Sequence, residues 1–93
     1  MILCDGNKLK VQGPINASNV LAVVEQGVAL FEHSDLVIDL AQVTEVDSSA
    51  VSMLLEWQRR TNTHNQRLFF SNIPVQLKNL AELYGVYEMI VQM

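Results

Sequence analysis

The sequence predicts a single α/β domain: a mixed β-sheet of four to five strands, opened by an N-terminal hairpin, with three helices packed mainly on one face. Three observations predict it. Two short apolar segments at the start of the chain bracket Asp5-Gly6-Asn7-Lys8, whose Gly and Asn tolerate the positive φ of a tight hairpin turn. Apolar residues then recur alternately at helical spacing and in short β-branched runs, giving the order ββαβαβα with a tail. Strands joined through helices of about ten or more residues need right-handed crossovers and a largely parallel sheet, which the opening hairpin makes mixed. No repeat, low-complexity tract or linker divides residues 1–93, so they read as one domain.

In the hairpin, Ile2-Leu3-Cys4 is the first strand. In the second, Leu9 and Val11 alternate with Lys8, Lys10 and Gln12, so one face is buried and one is wet. Gly13-Pro14 is expected to end that strand. From Asn16, placed to cap the first turn, Ala17, Val20, Leu21, Val24, Val28 and Phe31 fall at helical spacing. Leu36-Val37-Ile38-Asp39-Leu40 reads as a central strand buried on both faces, and Val43-Thr44-Glu45-Val46 as a connection. A second helix is expected over 48–61, with Val51, Leu54, Leu55 and Gln58 near one stripe and Ser52, Glu56, Arg59 and Arg60 on another. Glu56 can pair with Arg60 one turn on, worth roughly a few tenths of a kcal/mol. After the polar loop 61–66, Leu68-Phe69-Phe70 forms a further buried strand. A third helix starts near Pro74, carries Leu77, Leu80, Ala81 and Tyr84 inward, and ends at Gly85 in a left-handed cap. Residues 86–91 form a final segment, strand or helix.

Composition narrows the function. Of 93 residues, 49% are hydrophobic and 17% charged, which suits a packed core and not a disordered chain. Six Lys and Arg against ten Asp and Glu leave a net charge of -4. Neither nucleic acid nor an anionic membrane surface is therefore an expected partner, because each requires a positive patch. The longest uncharged stretch, 11–24, is broken by Gly13-Pro14 and is shorter than the ~18 apolar residues of a membrane span. The first residues show neither the basic nor the long apolar region of a signal peptide, so a cytoplasmic protein is expected. The single cysteine, Cys4, has no internal disulfide partner and reads as a small buried hydrophobe.

Catalytic signatures are missing. Gly6, Gly13, Gly27 and Gly85 form no phosphate-cradling cluster, and His33 and His64 stand alone without zinc-ligand spacing. Ser48, His64 and Asp39 have no nucleophile elbow around them. The expectation is a protein that is not an enzyme and takes no cofactor or metal. Asp35, Asp39, Glu45 and Asp47 read as loop solvation and helix capping ahead of a divalent-metal site.

The most informative stretch is Val46-Asp47-Ser48-Ser49-Ala50-Val51, which opens the second helix. Asp47 and Ser48 are both good N-cap residues, and capping alone accounts for them. The functional reading places Ser48 exposed at the helix start, where a phosphate would meet free amides and the positive dipole end, opposed by Asp47. Such a change would alter surface charge without unfolding the helix, as a switched protein–protein contact requires. Met53 and Trp57 read as core, with an exposed Trp57 interface anchor as the alternative.

These segments together resemble the STAS domain family of anti-anti-sigma factors and related regulatory domains. The likeness rests on Val37-Ile38-Asp39-Leu40 followed by Val46-Asp47-Ser48-Ser49-Ala50-Val51, on Gly13, and on Asn79-Leu80-Ala81-Glu82-Leu83-Tyr84-Gly85-Val86. It covers nearly the whole chain. Within the family, this chain is most similar to small cytoplasmic subunits of ABC systems that move phospholipids between inner and outer membranes and keep the outer membrane asymmetric. The resemblance implies docking on the ATPase subunit, and through it the permease complex, with Ser48 at the contact and Asp47, Ser49 and Ser52 flanking it. It equally implies an alternative, an anti-anti-sigma factor whose Ser48 is phosphorylated by an anti-sigma kinase. Ala50 stands where the family often has Gly. Pro14 follows Gly13 where an acidic residue is frequent, which tilts the reading towards plain docking.

Overall fold

The computed structural model describes residues 2–31, 35–63 and 66–91. Its elements run β1 (Ile2–Asp5), β2 (Lys8–Ile15), α1 (Val20–Leu30), β3 (Leu36–Val46), α2 (Ser48–Asn62), β4 (Leu68–Ser71), α3 (Val75–Leu83) and α4 (Tyr87–Val91). The strands form one sheet in the order β1-β2-β3-β4, with β1 antiparallel to β2 and the other pairs parallel. Because β2, β3 and β4 step across the sheet in one direction, right-handed crossovers put their helices on the same face. The final segment is helical.

That single helix layer decides which strand residues are buried. Leu9, Val11 and Ile15 of β2, and Leu36, Ile38 and Leu40 of β3, lie in the core, while Val37 and Asp39 are half-buried on the other face. The expectation that the 36–40 run is buried on both faces is thus corrected: among the described residues, no helix packs on the outer side. Lys8 and Lys10 occupy that side, pairing with Asp39 at 3.9 Å and Asp5 at 3.8 Å. Cys4 is exposed rather than buried. It sits on the edge strand, where only Ile2 reaches the helix layer, and its thiol donates to the Gly6 carbonyl at 3.6 Å.

Two strands run further than the sequence suggests. Gly13-Pro14 does not stop β2, which continues to Ile15. Val43-Thr44-Glu45-Val46 is the end of β3 and not a connection. Lys10 pairs with Asp39 but Gln12 with Gln42, and Gly13 with Val43 but Ile15 with Val46, so β3 carries one extra residue at each of two bulges. The bulges keep Leu40, Val43 and Val46, three residues apart, facing the helices, with Val43 and Val46 packed against the core. By contrast, β4 pairs with β3 only as far as Asp39. Beyond that point α3 packs against β3 and α2.

The start of α1 also departs from expectation. Residues 16–19 form their own turn, in which Asn19 Oδ1 accepts from the Asn16 amide and the Asn16 carbonyl accepts from Val20. The helix therefore begins at Val20, Asn16 is not its cap, and Ala17 and Leu21 are exposed. Val23, Val24 and Gly27 are the buried residues of this helix.

Gly27 meets the largest core side chain. Trp57, fully buried in α2, lays its indole over Gly27 and donates from Nε1 to the Val24 carbonyl at 3.2 Å. Phe31 closes the contact edge-on, at 6.2 Å between ring centroids. Trp57 and Met53 are thus core residues. A Cβ on Gly27 would lie 2.6 Å from Trp57 Cζ2, inside any real contact distance. Gly27→Ala is therefore expected to cost about 1–3 kcal/mol by overpacking, although alanine is the better helix former. Urea unfolding followed by Trp57 fluorescence checks this, and an unchanged midpoint would mean the helices can separate freely.

Candidate functional site

The bulged end of β3 delivers Asp47 to the start of α2, where it is the N-cap residue. Its Oδ1 accepts from the Ser49 amide at 2.9 Å and from the Ser49 hydroxyl. Oδ2 accepts from the Ala17 amide at 3.2 Å, and the Asp47 amide donates to the Ile15 carbonyl at 3.3 Å. One carboxylate thus caps α2 and clips the loop between β2 and α1 to it. The hydrogen bonds from Ser49, then that from Ala17, hold the Asp47 carboxyl below the ordinary carboxylate range. The neighbouring acids have local roles too. Asp35 accepts from the Arg67 amide at 3.1 Å. Asp39 accepts from Asn72 and from the Ala41 amide, each at 3.0 Å, which lowers its pKa. Among the described residues, no three His, Cys, Asp or Glu side chains are grouped to hold a metal. His33 and His64 lie outside the described residues.

With Asp47 as the cap, Ser48 is released from that duty. It is exposed, and its hydroxyl makes no hydrogen bond among the described residues. Ser52, one turn further, is exposed on the same side of the helix. These two serines form a wall of a groove of about 360 Å³, completed by Ser49, Val51, Leu55, Tyr84 and Val86. The structure therefore gathers Ser48, Ser49 and Ser52 in one hollow, while the Asp47 carboxylate stands at its end, engaged with its own donors. Leu55, Tyr84 and Val86 were not legible as site residues in the sequence. Tyr84 continues the inward spacing of Leu77, Leu80 and Ala81, but α3 ends at Leu83 and Tyr84 turns outward at its C-cap, 55% exposed. Gly85, at φ 73°, makes the expected left-handed turn into α4. The available signal was Leu83, an apolar residue off the inward stripe and 76% exposed.

A second hollow, of about 550 Å³, lies at the other end of α2 between Gln58, Thr61, Asn62, the start of β4 and Met89. Its walls are largely occupied in structural bonds: Gln58 Nε2 donates to the Ile90 carbonyl, and the Thr61 hydroxyl to carbonyls of its own helix. On the outer side of α2, Glu56 binds Arg59 at 2.6 Å and the expected partner Arg60 at 2.7 Å, and these contacts pull its carboxyl down to about 2.

A four-stranded mixed sheet with helices on one face, and an Asp-Ser-Ser helix start beside a groove, are the features of a STAS-type domain. A family model described as "Mlab, STAS domain" matches residues 5–92, and the chain belongs to this MlaB-like STAS family. No curated protein matches it. Among solved structures it is similar to the anti-sigma factor antagonist SpoIIAA in its unphosphorylated form. That likeness has a TM-score of 0.72 and 14% identity, and covers 94% of this chain and 81% of the other. It is also similar to Mglu, with a TM-score of 0.63 and 20% identity over 81% of this chain. The native form of Mglu gives 0.59 and 17% over 78%. The chain spans only 20% and 22% of the two Mglu chains. These identities establish a shared fold. Among the described residues, no helix is long and apolar enough to cross a membrane.

The lowered carboxyls set a pH dependence. A carboxylate with a depressed folded pKa stabilises above its unfolded value, near ~4, and that stabilisation is lost as pH falls through the folded value. Asp39, Asp47 and Glu56 all act in this sense. The melting temperature is expected to hold above about pH 5 and to fall progressively towards pH 2, modestly because these groups are solvent-screened. Asp47→Asn keeps one acceptor oxygen and should reduce the acid slope, while Asp47→Ala should lower the melting temperature at neutral pH. Thermal unfolding from pH 2 to 8 checks both.

Proposed function

We propose that this domain is a non-catalytic regulatory or assembly subunit. It docks on the ATPase of an ABC transporter that moves phospholipids between inner and outer membranes, and so supports outer-membrane lipid asymmetry. It works in the cytoplasm, held beside the inner membrane through that partner and the attached permease. The observation that supports this best is the groove itself: an open apolar hollow walled by two exposed serines, one of them free of any capping role. The MlaB-like family match over residues 5–92 supports the choice of an ABC system. STAS domains act through partner proteins, and a groove of this kind is a surface for one.

A second reading draws on the likeness to SpoIIAA and on the same free hydroxyl. In it, Ser48 is phosphorylated by an anti-sigma kinase, and the added charge of about -2 at the helix start displaces the partner. Pro14 in place of an acidic residue after Gly13 weighs against kinase recognition.

Affinity purification of the tagged protein from its own cells in mild detergent separates the two. Co-purifying ATPase and permease chains are expected. A soluble kinase-like partner with phosphate on Ser48 would replace the first reading by the second. Ser48→Glu and Ser48→Arg are expected to reduce co-purified ATPase at least ~10-fold, the loss typical of a charge buried at an interface. Because Asp47 holds the cap, Ser48→Ala should leave stability within about 0.5 kcal/mol. ATPase recovery unchanged by both Glu and Arg would remove Ser48 from the contact.

A further inference from the structure

The first strand leaves one edge of the sheet open. Among the described residues, β1 pairs with β2 alone. Gly6 and Asn7 close the hairpin between Asp5 and Lys8, with Gly6 at φ 64°. In a two-residue hairpin the flanking pair exchanges both main-chain bonds, and bonded pairs then alternate along the strands. Asp5 and Leu3 therefore bond to β2, while Ile2 and Cys4 direct their N–H and C=O groups at the open edge. No described residue meets those groups. Leu3, between them, is apolar and 47% exposed.

The helix above this edge is bare on the same side. Since α1 joins β2 to β3 and α2 joins β3 to β4, the flank of α1 away from α2 looks over β1. The helix packs against both β1 and β2. Val24 and Gly27 face α2 through Trp57. Half a turn round the helix lie Ala22, Gln26 and Ala29, all exposed and all uncharged. Charge is balanced on the strands too. Every charged side chain of β1 and β2 is in an ion pair, Asp5 with Lys10 and Lys8 with Asp39. On a chain of net charge -4, this is a surface where two copies meet without setting unpaired like charges against each other.

We propose that a second copy of this chain occupies the edge. Two β1 strands pair antiparallel across a two-fold axis at Leu3, joining the two sheets into one under a common helix layer. In that register Ile2 of each copy stands opposite Cys4 of the other and exchanges both bonds with it, so every outward main-chain group of the two residues is satisfied. Leu3 meets its own counterpart in the non-bonded position, where opposing side chains come closest. Neighbouring strands lie about 4.8 Å apart, so two α1 helices, each above the gap between β1 and β2, stand roughly 10 Å apart. Helices with alanine at the contact pack at that distance. The contact is isologous and closes at two copies. The groove at the start of α2 lies on the opposite flank, towards α3 and α4, so pairing leaves both grooves open. The inference goes beyond the docking reading and does not depend on it.

Sedimentation velocity of the full chain tests it. A contact of this size belongs to the weak class, so a passage from monomer to dimer is expected between ~1 μM and ~1 mM protein. Leu3→Lys sets like charges against each other at the two-fold axis and should weaken the dimer at least ~10-fold. The melting temperature of the dilute monomer should not change, because Leu3 is exposed there. Mixing Leu3→Lys with Leu3→Glu should restore a dimer containing one of each. Ala22→Arg, on the α1 flank, should weaken the wild-type dimer as well. In a chain carrying Cys4→Ser, Leu3→Cys should give a disulfide-linked dimer under mild oxidation, since non-bonded antiparallel partners stand about 4.5 Å apart at Cα. A chain that stays monomeric across the whole concentration range overturns the proposal. So does a dimer that ignores Leu3→Lys and gives no cross-link at position 3, which would place the second copy on another face.

Discussion

The inward row of β3 organises this domain. Leu36, Ile38 and Leu40 alternate in the ordinary way, and two extra residues then let Val43 and Val46 continue the same row. A strand of this length without bulges would twist or slip its apolar residues to the wet side. With them, β3 stays apolar towards the helices along its whole length and brings Asp47 to the level of the loop after β2. The Asp47 carboxylate then binds both the first turn of α2 and the Ala17 amide. Core packing and site geometry are therefore one construction: the row that fills the interior also sets where α2 begins.

The other fixed point is the contact of Trp57 with Gly27. It holds α1 close to α2 along the side of α2 that faces away from the groove, and it settles the rotation of α2 about its axis. Once Trp57, Met53, Leu54 and Ala50 face inward, Ser48, Ser52 and Leu55 must fall on the flank towards α3 and α4. A serine pair at helical spacing thus becomes a groove wall as a by-product of burying an indole. The same division of labour separates the adjacent residues Asp47 and Ser48: one satisfies the helix end, and the other is left with nothing structural to do.

Much of the fold was legible because its signals are local. The hairpin turn, the helical spacing of α2 and the glycine after α3 each depend on residues within a few positions. The end of β3 was not, since Leu40, Val43 and Val46 recur every three residues, a period belonging to neither strand nor helix until bulges are allowed. The first turn of α1 was obscured by Asn16, Ser18 and Asn19: the Ser18 hydroxyl donates to Asn16 Oδ1 and the Asn16 backbone amide to Asn19 Oδ1, which delays the helix. Burial on one face only could not be read from Val37-Ile38-Asp39-Leu40, because an apolar run looks alike whether one side or both are covered. Of the site, the Asp-Ser-Ser segment stood out by composition. Its far wall, from the α3–α4 corner, is assembled by tertiary packing and carries no motif.

The groove also has an origin in simple geometry. Neighbouring strands β3 and β4 finish at different heights, since β4 stops opposite Asp39 while β3 runs on to Val46. That offset, seven residues or roughly 20 Å of strand, leaves a step in the sheet that α3 must climb before the chain can turn at Gly85. The height of the step fixes where the turn meets α2, and hence the width of the slot between them. Lengthening β4 by a rung pair would lower the step by about 7 Å and reshape the slot. In this architecture the shape of the slot is tied to the length of one short edge strand, whose Leu68 also belongs to the core.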